Sequence, residues 1–261
     1  SFPTRRSSDL EEGFHRIDLI QKIIPVYFEI LTALQKEGAE YIQIDEPFLA
    51  LNLTTKERNA ITFVYNEINT FFPSLKVILT NYFDYFGDNL ATVLELPVHT
   101  LHLDLVRCPS QLDDILESGK LKDNVKLSLG IVDGRNIWKN DFKKSLELIQ
   151  KATDALGHDR ILIAPSCSLI HSPCDLDLET NDAVLTPEIK QWLAFAKQKL
   201  DEIVLLQNLA LEEISQVDSV SFLQNTLANE NRKTSKLIHN EEVKYRIASI
   251  KCGDDQRENA F

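Results

Sequence analysis

The chain of 261 residues contains no methionine, not even at its first position. A complete translated reading frame is therefore not expected. Cysteine is scarce: Cys108, Cys167, Cys174 and Cys252 form no CxxC pair and no dense framework. That excludes a small disulfide-stapled scaffold and points to reduced thiols in a cytoplasmic protein. Positive charge is also short. Lys and Arg number 28 against 40 Asp and Glu, a formal net charge of −12 with a pI near 5.0. No basic stripe appears, so no nucleic-acid partner is expected. No apolar run is long enough for a membrane span, and no secretory signal is visible. A GxGxxG turn is missing too, which argues against a dinucleotide fold. What remains is ordinary for a globular domain: 43% hydrophobic and 26% charged residues, in a chain long enough for one sizeable core.

The opening SFPTRRSSDL has no periodicity and reads as a non-native leader, so residues 1–10 are set apart as a probable leader. Beyond it, helical and strand patterns alternate. Ile20, Ile23, Ile24, Tyr27, Ile30, Leu31 and Leu34 recur at helical spacing, with Gly38 as C-cap and Pro25 as a kink or early turn. YIQIDEP reads as a strand. A helix from about Thr55 to Phe72 follows, opened by Thr54 or Thr55 with Glu57 close behind. KVILTNYF is a strand, DNLATVLEL a short helix, and HTLHLDLV a strand. SQLDDILESGK is helical, VKLSLGIV a strand, DFKKSLELIQKATDAL an amphipathic helix and RILIAP a fifth strand. Strictly alternating helices and strands with short links predict a parallel sheet, as in part of a (β/α)8 barrel of the TIM type: α/β, about five βα units. Since such a barrel closes with eight strands, about three are expected upstream. Residues 11–213 form this partial barrel. From Pro187 to about Glu213 the pattern predicts one long helix with Ile189, Trp192, Leu193, Phe195, Ala196, Leu200, Ile203 and Leu206 as its stripe. Residues 214–261 read as a charged helical connector.

Chemistry-capable residues gather where the strands end. Asp45 and Glu46 put two carboxylates after the first strand, fit for base catalysis, for an amine, or for capping the next helix. Asp104 closes the third. After the fourth come Asp133, Gly134, Arg135 and Asn136, a tight turn in which Gly134 would supply a positive φ. Arg135 could clamp an anionic group or tie the turn to Asp104 or Asp45. After the fifth come Ser166, Cys167, Ser168 and His171. Cys167 and His171 are four apart but follow a strand, and a zinc site needs three or four ligands. Only Asp104, His102 and Cys174 could support them, so a buried thiol and a loop histidine are the simpler reading. His99 and His102 have odd spacing and face opposite ways. Tyr82, Phe83, Tyr85 and Phe86 read as packing beneath the next helix.

Taken in order, QIDEPFL, LTNYFD, LPVHTLHLDLV, SLGIVDGRNIWK, APSCSLIHSP, LAFAKQKLDEI and HNEEVKYRIASI with its DDQREN tail resemble the N-terminal barrel of the cobalamin-independent methionine synthase family. The resemblance runs from about Asp18 to the C-terminus. It implies a methyltransferase of methionine biosynthesis, made of two (β/α)8 barrels. That enzyme moves a methyl group from 5-methyltetrahydrofolate polyglutamate to homocysteine with a zinc ion that activates the thiol. It also implies that the zinc ligands and homocysteine pocket lie in a C-terminal barrel beyond this chain. No catalytic residue and no metal would then belong to this piece, which would be inactive alone. If the barrels arose by duplication, the zinc-ligand positions correspond to Asn81, Phe83, Asp104 and Cys167. Only Asp104 and Cys167 among them could ligate, as vestiges. Weak substrate-binding candidates are Asp45, Glu46, Asp104, Asp133, Arg135, Asn136, Ser166, Ser168 and His171.

Two other readings stand beside this one. The chain could be a non-catalytic module that docks on the catalytic barrel and covers its folate groove. It could also be a (β/α)8 hydrolase using Asp45 and Glu46 with Asp104 or Asp133 as an acid/base pair. An open sheet of five parallel strands would expose edges, so poor stability or aggregation is expected of the chain alone.

Overall fold

A computed structural model describes residues 16–211 and 215–253. The proposed leader at 1–10 and the DDQREN tail lie outside the described residues. Five strands form one parallel sheet in chain order: β1 (Tyr41–Asp45), β2 (Lys76–Asn81), β3 (Thr100–Asp104), β4 (Lys126–Val132) and β5 (Ile161–Pro165). Helices α1 (Ile20–Lys36), α2 (Thr55–Phe71), α3 (Leu90–Glu95), α4 (Gln111–Ser118) and α5 (Phe142–Leu156) alternate with them. The result is an arc of a TIM-type barrel, as the alternation predicted.

Register explains how the arc buries itself. Paired positions in parallel strands share a face, and successive residues alternate between faces. One row runs Ile44, Leu79, Leu101, Leu127, Ile161. These join one core cluster with Leu31 of α1, Tyr65 and Ile68 of α2, Val93 of α3, Leu112 and Ile115 of α4 and Ile149 of α5. The neighbouring row, on the opposite face, runs Asp45, Thr80, His102, Ser128, Leu162. One face of the sheet is therefore apolar and roofed by helices, while the face that lines a barrel is polar. The bulky branched residues usual inside such barrels are mostly missing from that row.

Local signals match the elements closely. Thr54 accepts from the backbone N–H of Glu57, while the Glu57 carboxylate accepts from the Thr54 N–H at 2.7 Å, a reciprocal capping box at the start of α2. Gly38, just beyond α1, has φ +90°. Pro25 neither stops nor starts a helix: α1 runs through it.

The expected long helix is broken. A short α6 (Pro187–Lys190) is followed by a non-helical link, and α7 starts only at Ala196 and ends at Ala210. The link is held because Ala194 N–H donates to Ile137 O and Lys139 N–H to Trp192 O, each at 2.8 Å. This bridge buries Trp192, Leu193, Ala194 and Phe195 without helical backbone. The face of α7 also differs from the expected stripe. Lys199, Glu202 and Leu206 are buried, whereas Leu200 is exposed. Two further helices follow, α8 (Gln216–Thr234) and α9 (Glu241–Ser249). Asn225, Ala228 and Asn229 of α8 are buried, where α8 packs on α5 and α7. No residue of α9 is buried. No described helix is long and apolar enough to cross a membrane.

Candidate functional site

The carboxyl ends of the strands bring Asp45, Asn81, Asp104, Asp133 and Ser166 to one rim. At its centre is Asp104, which is almost fully buried. Its Oδ1 accepts the backbone N–H groups of Val106 (3.2 Å) and Arg107 (2.9 Å), and its Oδ2 lies 2.8 Å from Arg135 Nη2. That last contact is an ion pair rather than an aligned hydrogen bond, since the same guanidinium nitrogen donates to the carbonyl of Tyr82. Arg135 thus ties the turn after β4 to the ends of β2 and β3. Of the two carboxylates that the sequence offered it, Arg135 is paired with Asp104.

The turn is braced from within. Asp133 accepts the Arg135 N–H at 2.9 Å and the Asn136 side-chain amide at 2.6 Å. Gly134 does not adopt a positive φ, contrary to expectation. Its reason is space. A Cβ there would lie 2.9 Å from the Cys167 carbonyl oxygen and 3.0 Å from its Sγ. Gly130 is tighter still, with a Cβ meeting Leu103 O at 2.6 Å and Ser166 Cα at 2.9 Å. Both glycines let the ends of β4 and β5 close on each other, and the Gly134 N–H donates to Ser166 Oγ at 3.2 Å.

Beneath the rim, His102 Nε2 is 3.3 Å from the Ser166 carbonyl and Nδ1 is 2.9 Å from Ser128 Oγ. A carbonyl only accepts, so Nε2 carries the proton and Nδ1 accepts from the serine hydroxyl. Burial lowers the His102 pKa, favouring this neutral form. The pair resembles a hydrolytic dyad only on paper, because both residues are sealed in the core.

At the β1 end, Asp45 is exposed and accepts from Tyr82 OH at 2.9 Å and Gln43 Nε2 at 2.8 Å. Glu46 accepts from the buried Tyr65 OH at 3.0 Å, and burial raises its pKa. Each carboxylate thus has its own partners, and Asp104 is held by Arg135. Of the aromatic group, only Phe86 is buried. Phe83 and Tyr85 are exposed, and Phe83 stacks on Tyr82 with centroids 4.6 Å apart. After β5, Ser166 and Cys167 are buried at the rim. Ser168 caps a short helical turn, its Oγ accepting the Ile170 N–H, and His171 is exposed.

Could these residues hold zinc? Asn81 spends its amide on its own turn, donating to Asp84 O at 2.9 Å and accepting the Phe83 N–H at 3.2 Å. Phe83 has no donor atom. Asp104 is committed to two N–H groups through Oδ1 and to the Arg135 ion pair through Oδ2. Burial pushes the Cys167 thiol up, although Arg135 opposes this, and its Sγ lies against the backbone of Gly134 and Ser168. Among the described residues, no three His, Cys, Asp or Glu side chains are grouped to hold a metal. The donor set does not fit a zinc ion.

Several residues that matter here carry no motif signal. Tyr65 and Tyr82 look like packing aromatics in sequence, and Lys199 and Glu202 look like a solvated helix face. Burial reveals Tyr65, Lys199 and Glu202, and the contact with Asp45 reveals Tyr82.

Residues 6–157 match the family described as "Cobalamin-independent synthase, N-terminal domain". The 5-methyltetrahydropteroyltriglutamate–homocysteine methyltransferase of Flavobacterium johnsoniae is 72% identical over 251 residues, which cover 96% of this chain but 32% of that protein. The Cytophaga hutchinsonii protein of the same name is 51% identical with the same coverage. The chain thus spans about a third of the length of these relatives. Among solved structures, a Listeria monocytogenes protein described as a vitamin-B12 independent methionine synthase superposes with a TM-score of 0.52 at 12% identity, over 76% of this chain and 56% of that one. At that identity the likeness speaks for the fold alone.

Proposed function

The chain belongs to the cobalamin-independent synthase family, matching its N-terminal domain, and from that premise we propose that it is the non-zinc barrel portion of an enzyme that transfers a methyl group from 5-methyltetrahydropteroyltriglutamate to homocysteine. One observation carries the assignment of a supporting rather than a reacting role: the polar groups at the centre of the rim already satisfy one another. Arg135 neutralises Asp104, Asp133 holds its own turn, and Cys167 lies under Gly134. Such a rim supplies a rigid wall and leaves thiol activation by zinc to ligands elsewhere in the enzyme. Of the candidate residues at the rim, Asp45, Ser168 and His171 are exposed and are free to meet a folate tail, homocysteine or the catalytic barrel. A docking role is part of the same reading, because a supporting barrel acts by contact with its partner. The four cysteines are free, which supports a cytoplasmic setting.

The test is a chimera. This chain replaces the corresponding third of the Flavobacterium johnsoniae relative, and methyl transfer to homocysteine is assayed. Turnover by the chimera and none by the chain alone is expected. A folded but inactive chimera, or turnover by the chain alone, would overturn the assignment.

A further inference from the structure

Behind the Asp133–Asn136 turn lies a second polar cluster, in the seam between α5, α7 and α8. Lys199 and Glu202 sit one turn apart on α7 and both point into it, with Lys199 0% and Glu202 7% exposed. Lys199 Nζ donates to Trp138 O at 3.0 Å and lies 3.5 Å from Asn136 Oδ1. Glu202 Oε1 accepts the backbone N–H of Asn140 at 2.9 Å, while its Oε2 is buried without a hydrogen-bond partner. The Asn140 peptide continues the chain of contacts, because its carbonyl accepts from Asn225 Nδ2 (2.9 Å) and Asn229 Nδ2 (3.0 Å) of α8. The Asn140 side chain donates to Ile131 O of β4 at 2.8 Å and accepts from Ser145 of α5 at 2.7 Å. The rim turn and α8 therefore both lean on this stretch of α7: Lys199 holds the turn, Glu202 holds the Asn140 peptide on which α8 docks, and the two side chains form no ion pair with each other.

We propose that Lys199 and Glu202 are positioning residues that couple the rim turn to α8, with Lys199 divided between the turn and the free oxygen of Glu202. In the arrangement seen, Lys199 serves the turn. A charge on Glu202 would offer it a better partner three residues along the same helix. Lys199 would then leave Asn136 and Trp138 O, and the turn that carries Arg135 would lose a brace. The added negative charge would also sit beside the Asn140 peptide on which α8 docks.

The surroundings make that charge accessible near neutrality. Desolvation pushes the Glu202 pKa up to about 7, against the opposing pull of the Asn140 N–H, Lys199 and Lys139. Burial lowers the Lys199 pKa in turn, with Glu202, Asp133 and Cys167 opposing. Other charges at the seam are Asp201 on α7, Asp141 at the start of α5, and Arg232 and Lys233 on α8. Lys233 lies 3.9 Å from Asp141, and Arg232 packs over the Trp138 ring with Asp141 nearby. These belong to the periphery of the seam, whereas the free oxygen of Glu202 is inside it.

Hydrogen exchange on the full chain, corrected for the intrinsic rate and followed from about pH 6 to about pH 8, tests the coupling. Amides at 133–140 and at 216–229 should lose protection together, with a midpoint near 7. In Glu202→Gln both segments should keep their protection throughout. In Lys199→Met the turn should exchange fast at every pH. Independent behaviour of the two segments, or the same pH dependence in Glu202→Gln, would overturn the proposal. Should the variants not fold, carbon NMR of labelled glutamate in the unmodified chain decides. A carboxyl titrating near neutrality supports the coupling, and none doing so refutes it.

Discussion

Removing Arg135 should cost more than removing the charge of its partner. The reason is the asymmetry of the pair: the Asp104 side chain is 2% exposed and that of Arg135 28%. In Arg135→Met, Asp104 keeps its two N–H donors but becomes a buried carboxylate without a counter-ion, and the Tyr82 carbonyl loses a donor. Stranding one member of a buried pair costs about 3–5 kcal/mol; with two N–H groups remaining, about 3 kcal/mol is expected. In Asp104→Asn the stranded group is a guanidinium that already reaches solvent, so about 1–2 kcal/mol is expected. The double variant should cost less than the sum, by about 1–2 kcal/mol, since each single change removes the same contact. Urea unfolding of the four proteins measures this, provided the slope with denaturant stays constant. An additive double variant, or Asp104→Asn costing more than Arg135→Met, would refute the claim that Arg135 exists to neutralise Asp104.

Other outcomes follow from single contacts. Gly130→Ala places a methyl 2.6 Å from a backbone oxygen that cannot swing aside; a loss of about 2–4 kcal/mol or failure to fold is expected, read by thermal unfolding. Gly119→Ala, at φ +62° with nothing within 4 Å, should cost only about 1 kcal/mol of backbone strain in the same measurement. His102 has its pKa lowered by burial, so below about 6.5 the unfolded chain takes up a proton that the native state refuses. Its contribution is therefore present at neutral pH and lost on acidification, and a stability profile that did not fall below pH 6.5 would count against it. Dialysis against zinc followed by metal analysis should find less than one tightly held ion per chain. Finally, β1 and β5 each pair with a single strand among the described residues, and Tyr41 on β1 and Val26, Ile30 and Leu34 on α1 are exposed. Light scattering of the isolated chain should show association rather than a stable monomer.

Much of this was written locally. Alternation of apolar strands with amphipathic helices is a short-range pattern, and it sufficed for the parallel arc, for the Thr54–Glu57 cap and for the gathering of Asp45, Asp104, Asp133 and Ser166 at one rim. Quoted blocks such as SLGIVDGRNIWK carried the family, because several in order are far more specific than any one. Three features were beyond local reading. The partner of Arg135 is 31 residues away in sequence, and only the pairing of β3 with β4 brings Asp104 rather than Asp45 to it. Gly134 looked like a turn glycine, yet its constraint comes from Cys167, just past the end of the next strand. The helix predicted from Pro187 onward is cut by a bridge to residues 137–139, and the register of α7 is turned so that Lys199 and Glu202 go inside while Leu200 faces out. Helical periodicity ranks faces by hydrophobicity alone. A buried lysine and glutamate contradict that ranking, and they become tolerable only when Trp138, Asn140 and α8 arrive from elsewhere in the chain to meet them.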